Sequence, residues 1–140
     1  MISETRSYFK SIVKAENSDL RAHDHPVVDE ISDTNIEDTY FIGIENMSTE
    51  LLDTNIQSDI SVILNIYKAG DSDSIDDYDK AYCEAINIQA AAMYKNNIDQ
   101  LNYIKNVVSS GIDVETINNN DNMFKFSIQF TVTVSYAHAE

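Results

Sequence analysis

Positive charge is scarce in this chain. Nine Lys and Arg stand against 24 Asp and Glu, giving a formal net charge of −15 at pH 7. A protein so charged is repelled by nucleic-acid backbones and anionic lipids, which argues against gripping DNA or a membrane surface. Glycine (3) and proline (1) are nearly absent, so long flexible linkers are not expected. A single cysteine, Cys83, excludes an internal disulfide. No run approaches the roughly 18 apolar residues that a membrane span needs, and the N-terminal MISETRSYFK carries no apolar stretch resembling a signal peptide. Also missing are a nucleophile motif, a glycine-rich phosphate loop and Cys/His zinc spacing, so no enzyme class is indicated.

What remains is an ordinary globular composition, 43% hydrophobic and 24% charged over 140 residues. That favours one domain spanning 1–140, long enough to bury about two-thirds of its unfolded surface. The clearest pattern is FKFSIQFTVTVSY, Phe124 to Tyr136. Even positions are apolar and odd ones polar, the period-two signature of a strand with one buried face. It would span about 44 Å at roughly 3.4 Å per residue. A strand so long predicts pairing beyond the domain's own core.

Residues 3–16 predict a first helix, with Ser3 as cap, Ile2 as hydrophobic staple and Phe9, Ile12 and Val13 facing inward. The acidic stretch 17–39 predicts a loop, with Val27, Val28 and Ile31 anchoring at most a short strand. Tyr40–Glu45 predicts a short strand. The polar stretch Asn46–Asp59, with Met47, Leu51, Leu52 and Ile56 as its apolar residues, predicts a hairpin loop or an extended arm. Ile60–Lys68 predicts a central strand, apolar on both faces.

After an acidic turn, Ser74 should cap the strongest helix, which runs to about Lys95. Ile75, Tyr78, Tyr82, Ala85, Ile86, Gln89 and Met93 follow its three- and four-residue steps. Ile98–Asn106 fits a helical turn leading into a strand, and Val107–Ile117 a strand with a bulge at Gly111. Asn118–Asn122 predicts a tight turn before the final strand. The expected fold is α+β, in the order α-β-β-α-β-β, with two helices on a mixed or antiparallel sheet.

Candidate chemistry is thin. His23-Asp24-His25 is the one crowded imidazole–carboxylate cluster, but it lacks further ligands for zinc. Asp71–Tyr82 begins like a calcium loop, yet lacks the glycine at its sixth position and has Tyr82 where a bidentate Glu is required. Neither metal nor cofactor is expected. Cys83 reads as a small hydrophobe on a helix face rather than a nucleophile.

The arrangement resembles the tail terminator proteins of long-tailed bacteriophages and their related neck and head–tail joining subunits. The matching segments are the helix ETRSYFKSIVKA, the strand YFIGIE, the arm ENMSTELLDTNIQSD, the strand ISVILNIYKAG, the helix IDDYDKAYCEAINIQAAAMYK and the closing FSIQFTVTVSY. They cover nearly the whole chain without a signature motif, and the acidic 17–39 stretch departs from the pattern. The resemblance implies a structural virion protein and no catalytic residues. It implies a homo-oligomeric ring, commonly a hexamer, assembled in the host cytoplasm. Such a ring caps the tail tube and meets a neck or head-completion protein, while DNA passes its lumen without specific binding. The tube contact falls on the arm, at Met47, Leu51, Leu52 and Ile56. An acidic wall suits such a conduit. Other neck adaptors, or a small acidic module that mimics DNA charge, are the alternative readings.

Overall fold

The computed structural model describes residues 2–22, 38–52, 55–71, 73–101, 103–118 and 122–137. The elements run α1 (Ile2–Glu16), β1 (Arg21–Ala22), β2 (Thr39–Leu51), β3 (Asn55–Ala69), α2 (Ile75–Met93), α3 (Lys95–Asp99), β4 (Ile104–Asn118) and β5 (Asn122–Ala137). The strands form one five-stranded sheet in the order β1-β2-β3-β5-β4. It is mixed, because β1 runs parallel to β2 and every other pair is antiparallel. The class is α+β as expected. The short β1 and the third helix α3 are additions to the expected order. Tyr94, with extended ψ of 123°, breaks α2 from α3, and Ile98 on the new turn is buried.

Both long helices cover the same sheet face. Phe9 of α1 meets Phe130, with ring centroids 4.9 Å apart, while Tyr78 and Tyr82 of α2 meet Phe124 and Phe126 edge-on. The alternation in β5 holds as expected. Phe124, Phe126, Ile128, Phe130, Val132 and Val134 are all buried, facing Ile60, Val62, Leu64 and Ile66 of β3. Ser127, Gln129, Thr131 and Thr133 stand on the other face, half-buried or exposed. Ser127 donates to Asn65 Oδ1 (2.8 Å) and Thr133 to Asp59 Oδ1 (2.8 Å), so this polar face is cross-linked strand to strand.

Several expectations are corrected. The long strand does not reach beyond its own domain. β5 is central, paired with β3 from Asn55↔Ala137 to Ala69↔Met123 and with β4 from Ile104↔Val134 to Asn118↔Asn122. Its length is matched by 15 residues in each neighbour, so its backbone groups are satisfied within the chain. Ser3 does not cap α1, because the helix already begins at Ile2, and Ile2 is itself helical and partly exposed rather than a staple. In α2 the buried residues are Ala81, Ala85, Ile88 and Ala92, whereas Ile75 (74%), Ile86 (41%) and Met93 (36%) are exposed. Small residues let the helix approach the sheet closely, so the alanines rather than the bulkiest side chains mark the buried stripe.

Other expectations hold. Ser74 caps α2, its side chain accepting from the Asp77 N–H. Glycine 111 sits at a register shift between Ser109 and Gly111, with φ of 142°. A non-glycine residue strains there, which explains the bulge position. The stretches around Val27, Val28 and Ile31, and the centre of the Asn118–Asn122 turn, lie outside the described residues.

Candidate functional site

The stretch Asn46–Asp59, expected as a hairpin loop or an extended arm, is strand on both sides of residues 53 and 54, which lie outside the described residues. β2 and β3 continue through it as a ladder from Met47↔Ile60 to Leu51↔Ile56, closed where the Leu52 N–H donates to the Asn55 carbonyl at 2.8 Å. The polar sequence disguised the strands, because their outer half is not buried enough to require alternating apolar residues.

One irregularity decides what this end presents. Ile44 pairs with Val62, yet Asn46 pairs with Ser61, leaving Glu45 as an extra residue in β2. A bulge of one residue exchanges the faces of everything beyond it. Before Glu45 the core-side residues of β2 are Tyr40, Ile42 and Ile44; after it they are Met47, Thr49 and Leu51. Without the bulge, Asn46, Ser48 and Glu50 would continue the core face. With it, the apolar face is extended outward through Met47 and Leu51.

Cross-strand register then assembles a patch. Leu51 pairs with Ile56, and Ile56 with Tyr136, placing three apolar side chains in one row at the end of the sheet. The next rows inward carry Thr49, Ser58 and Val134, then Met47, Ile60 and Val132. Leu51 is 69% exposed, Met47 41% and Tyr136 37%, while Ile56 is half-buried. Thr49 and Ser58 share a hydrogen bond of 3.0 Å, and Asn55 Nδ2 donates to Ser135 Oγ, tying the three strands together near the tip. A depression of about 400 Å³ continues the patch, lined by Glu4, Tyr103, Val134 and Tyr136. Burial, followed by the nearby Glu4 carboxylate, pushes the Tyr103 phenol above its ordinary pKa.

The structure therefore brings three of the four sequence-predicted residues, Met47, Leu51 and Ile56, onto one face. Leu52 follows at the turn, 36% exposed. Tyr136 was missed as a member of the patch. Its place in the alternation of β5 was the available signal, but only the register with Ile56 joins it to Leu51.

The metal candidates fare differently. His23-Asp24-His25 lies outside the described residues. At 71–77 two of the carboxylates are engaged with backbone: Asp77 Oδ2 accepts from the Asp71 N–H (2.9 Å), and Asp71 Oδ1 from the Asp73 N–H (2.9 Å). Among the described residues no group of three or more His, Cys, Asp or Glu converges as a metal site would require. Cys83 is exposed on α2. No described helix is long and apolar enough to cross a membrane.

A scan against protein-family models finds no match to this chain, and a search of curated proteins likewise finds none.

Proposed function

We propose that this chain is a structural subunit of a bacteriophage tail, a terminator that assembles into a ring, commonly of six, caps the tail tube and joins it to the neck. One observation carries the reading. The sheet ends in a row of apolar side chains on hydrogen-bonded strands, exposed Leu51 and Tyr136 flanking half-buried Ile56, with exposed Met47 further in on the same face. Exposed apolar surface of this kind marks a protein-binding face. The tail tube is the partner assigned to this face, and the neck or head-completion protein to another.

The net charge of −15 supports the second part of the reading. Phosphates passing an acidic wall are repelled at close range, within the roughly 8–10 Å over which salt leaves charges unscreened. DNA then moves through the lumen without adhering. No cofactor, metal or membrane enters this function, and the chain acts in the virion.

A reconstruction of the assembled tail tests the proposal. The subunit should form a ring at the end of the tube, with the Leu51–Ile56 end of the sheet against the last tube ring. A ring set between other neck proteins, away from the tube, would favour a neck adaptor. A position outside neck and tail, or a basic lumen formed by this chain, would refute the reading.

A further inference from the structure

Apart from the hairpin end, the two long helices carry opposite, unsatisfied surfaces on opposite flanks of the molecule. α1 packs against β2, and α2 against β4 and β5, so the helices lie toward the two different edges of the sheet. On α1, Arg6, Lys10 and Lys14 follow at four-residue steps and form one cationic stripe, all three exposed. They are three of only nine cations in the chain. None has an ion-pair partner among the described residues.

On α2 the exposed side is apolar and acidic. Ile75, Ile86 and Met93 are the exposed large hydrophobics of this helix. At roughly 100° per residue, they share one stripe, which lies away from Glu84, the residue that meets Asn17 at the end of α1. Asp79 falls beside that stripe, and Asp76 about a quarter-turn from it, both in the first turns of the helix. Both aspartates are exposed and have no ion-pair partner among the described residues.

We infer that these flanks bind each other between copies of the chain. The apolar and acidic flank of α2 in one copy docks on the cationic flank of α1 in the next, where the ammonium groups of Lys10 and Lys14 meet Asp76 and Asp79 at the start of the helix, their stems lie along Ile75, and the Arg6 stem reaches toward Ile86 one to two turns further on. The occupant is a second copy because each surface is the charge complement of the other, in a chain otherwise dominated by one sign. The two patches differ, so the contact is heterologous. Contacts of this kind repeat around an axis and close into a ring when the rotation permits. This deepens the ring reading by naming its subunit interface, and it can be tested without a virion.

The experiment is sedimentation of purified chain at low and high salt, with circular dichroism as the control for folding. Wild type should self-associate at low salt and dissociate as salt rises. The charge-reversed variants Lys10→Glu/Lys14→Glu and Asp76→Lys/Asp79→Lys should each bind themselves about tenfold more weakly, the order expected from two lost exposed ion pairs turned repulsive. Mixed together, the two variants should associate again, because each supplies the complement the other has lost. Ile86→Glu should weaken association without rescue by either. A folded wild type that stays monomeric to its solubility limit overturns the inference, as does a mixture that fails to recover association. Either failure would leave the virion location untouched, and a chain found outside tails would leave this interface standing.

Discussion

Replacing Ile128 by Ala tests the register on which every later step depends. Ile128 is fully buried and stands in one row with Leu64 of β3 and Ile112 of β4. The change removes three carbons, worth about 2.4 kcal/mol at roughly 0.8 kcal/mol for each. The space left adds a cavity term, because β3 and β4 hold the backbone on both sides and cannot close in. A total of about 3–4 kcal/mol follows, within the range of such truncations. Phe130, which is 2% exposed and whose ring lies 4.9 Å from that of Phe9, should respond at least as strongly. Thr131 and Gln129, their exposed neighbours on the other face, should each lose under about 1 kcal/mol on change to Ala.

Urea unfolding followed by far-ultraviolet dichroism provides the measurement. At roughly 3 °C per kcal/mol for a chain of this size, Ile128→Ala should also melt about 10 °C lower, while Thr131→Ala should move by no more than about 3 °C. With total stabilities of about 5–15 kcal/mol, the core variant should remain folded but marginal. Equal losses on both faces would show that burial is not one-sided, and larger ones at the odd positions that the helices cover the other face; either would refute the placement of the Leu51–Ile56–Tyr136 patch.

Three further outcomes follow. Leu51→Asp with Leu52→Asp should change stability by less than about 1 kcal/mol, because both residues are exposed, yet should prevent normal tail termination; tails that still terminate would remove this end from the mechanism. Gly111→Ala should destabilise by about 1–2 kcal/mol through backbone strain alone, since an added Cβ meets nothing within 4 Å, whereas Gly70→Ala places a Cβ 2.6 Å from the buried Phe124 ring and should cost about 1–3 kcal/mol by overpacking; paired melting curves check both. Tyr8, whose hydroxyl donates to the Ala92 carbonyl at 2.5 Å, has its pKa raised by burial to about 12; the folded state disfavours its ionised form, so the stability it contributes is complete below pH 10 and declines from there to pH 12, and Tyr8→Phe should flatten that part of the stability–pH curve.

The sequence was most legible where burial is one-sided. In β5 an unbroken alternation identified the strand and its buried face, because each side chain there meets either the helices or none. The capping of α2 by Ser74 and the bulge at Gly111 were legible for the same local reason: a hydroxyl at an N-terminus and a glycine within an apolar run have few other uses. The outer halves of β2 and β3 were not. Their residues satisfy backbone pairing without burial, so nothing forces alternation upon Asn46, Ser48 and Glu50. The phase of α2 misled because Ile75, Ile86 and Met93 also keep helical spacing, on a side that the fold leaves exposed. Nor does any pattern announce that Tyr136 joins Leu51, since that neighbourhood exists only through two strand registers.

The bulge at Glu45 links these features. It interrupts β2 where the ladder passes from a well-buried half, Tyr40 to Ile44, into the exposed half that ends at Leu51. A strand continuing without it would have presented Asn46, Ser48 and Glu50 on the core side, and the tip would have been polar. The same extra residue makes Glu45 an interruption on an edge that, beyond Tyr40, pairs on one side only among the described strands. Bulges and charges at an edge oppose indiscriminate strand addition. β4, the opposite edge, carries two register shifts, together with Lys105, Asp113 and Glu115. Both edges are thus poorly suited to open-ended sheet growth, which directs association toward the side-chain surfaces instead. On the proposed reading, the hairpin end then serves the tube and the helix flanks serve neighbouring copies. The division accounts for apolar exposure at two separate places in a chain whose net charge would otherwise keep copies apart.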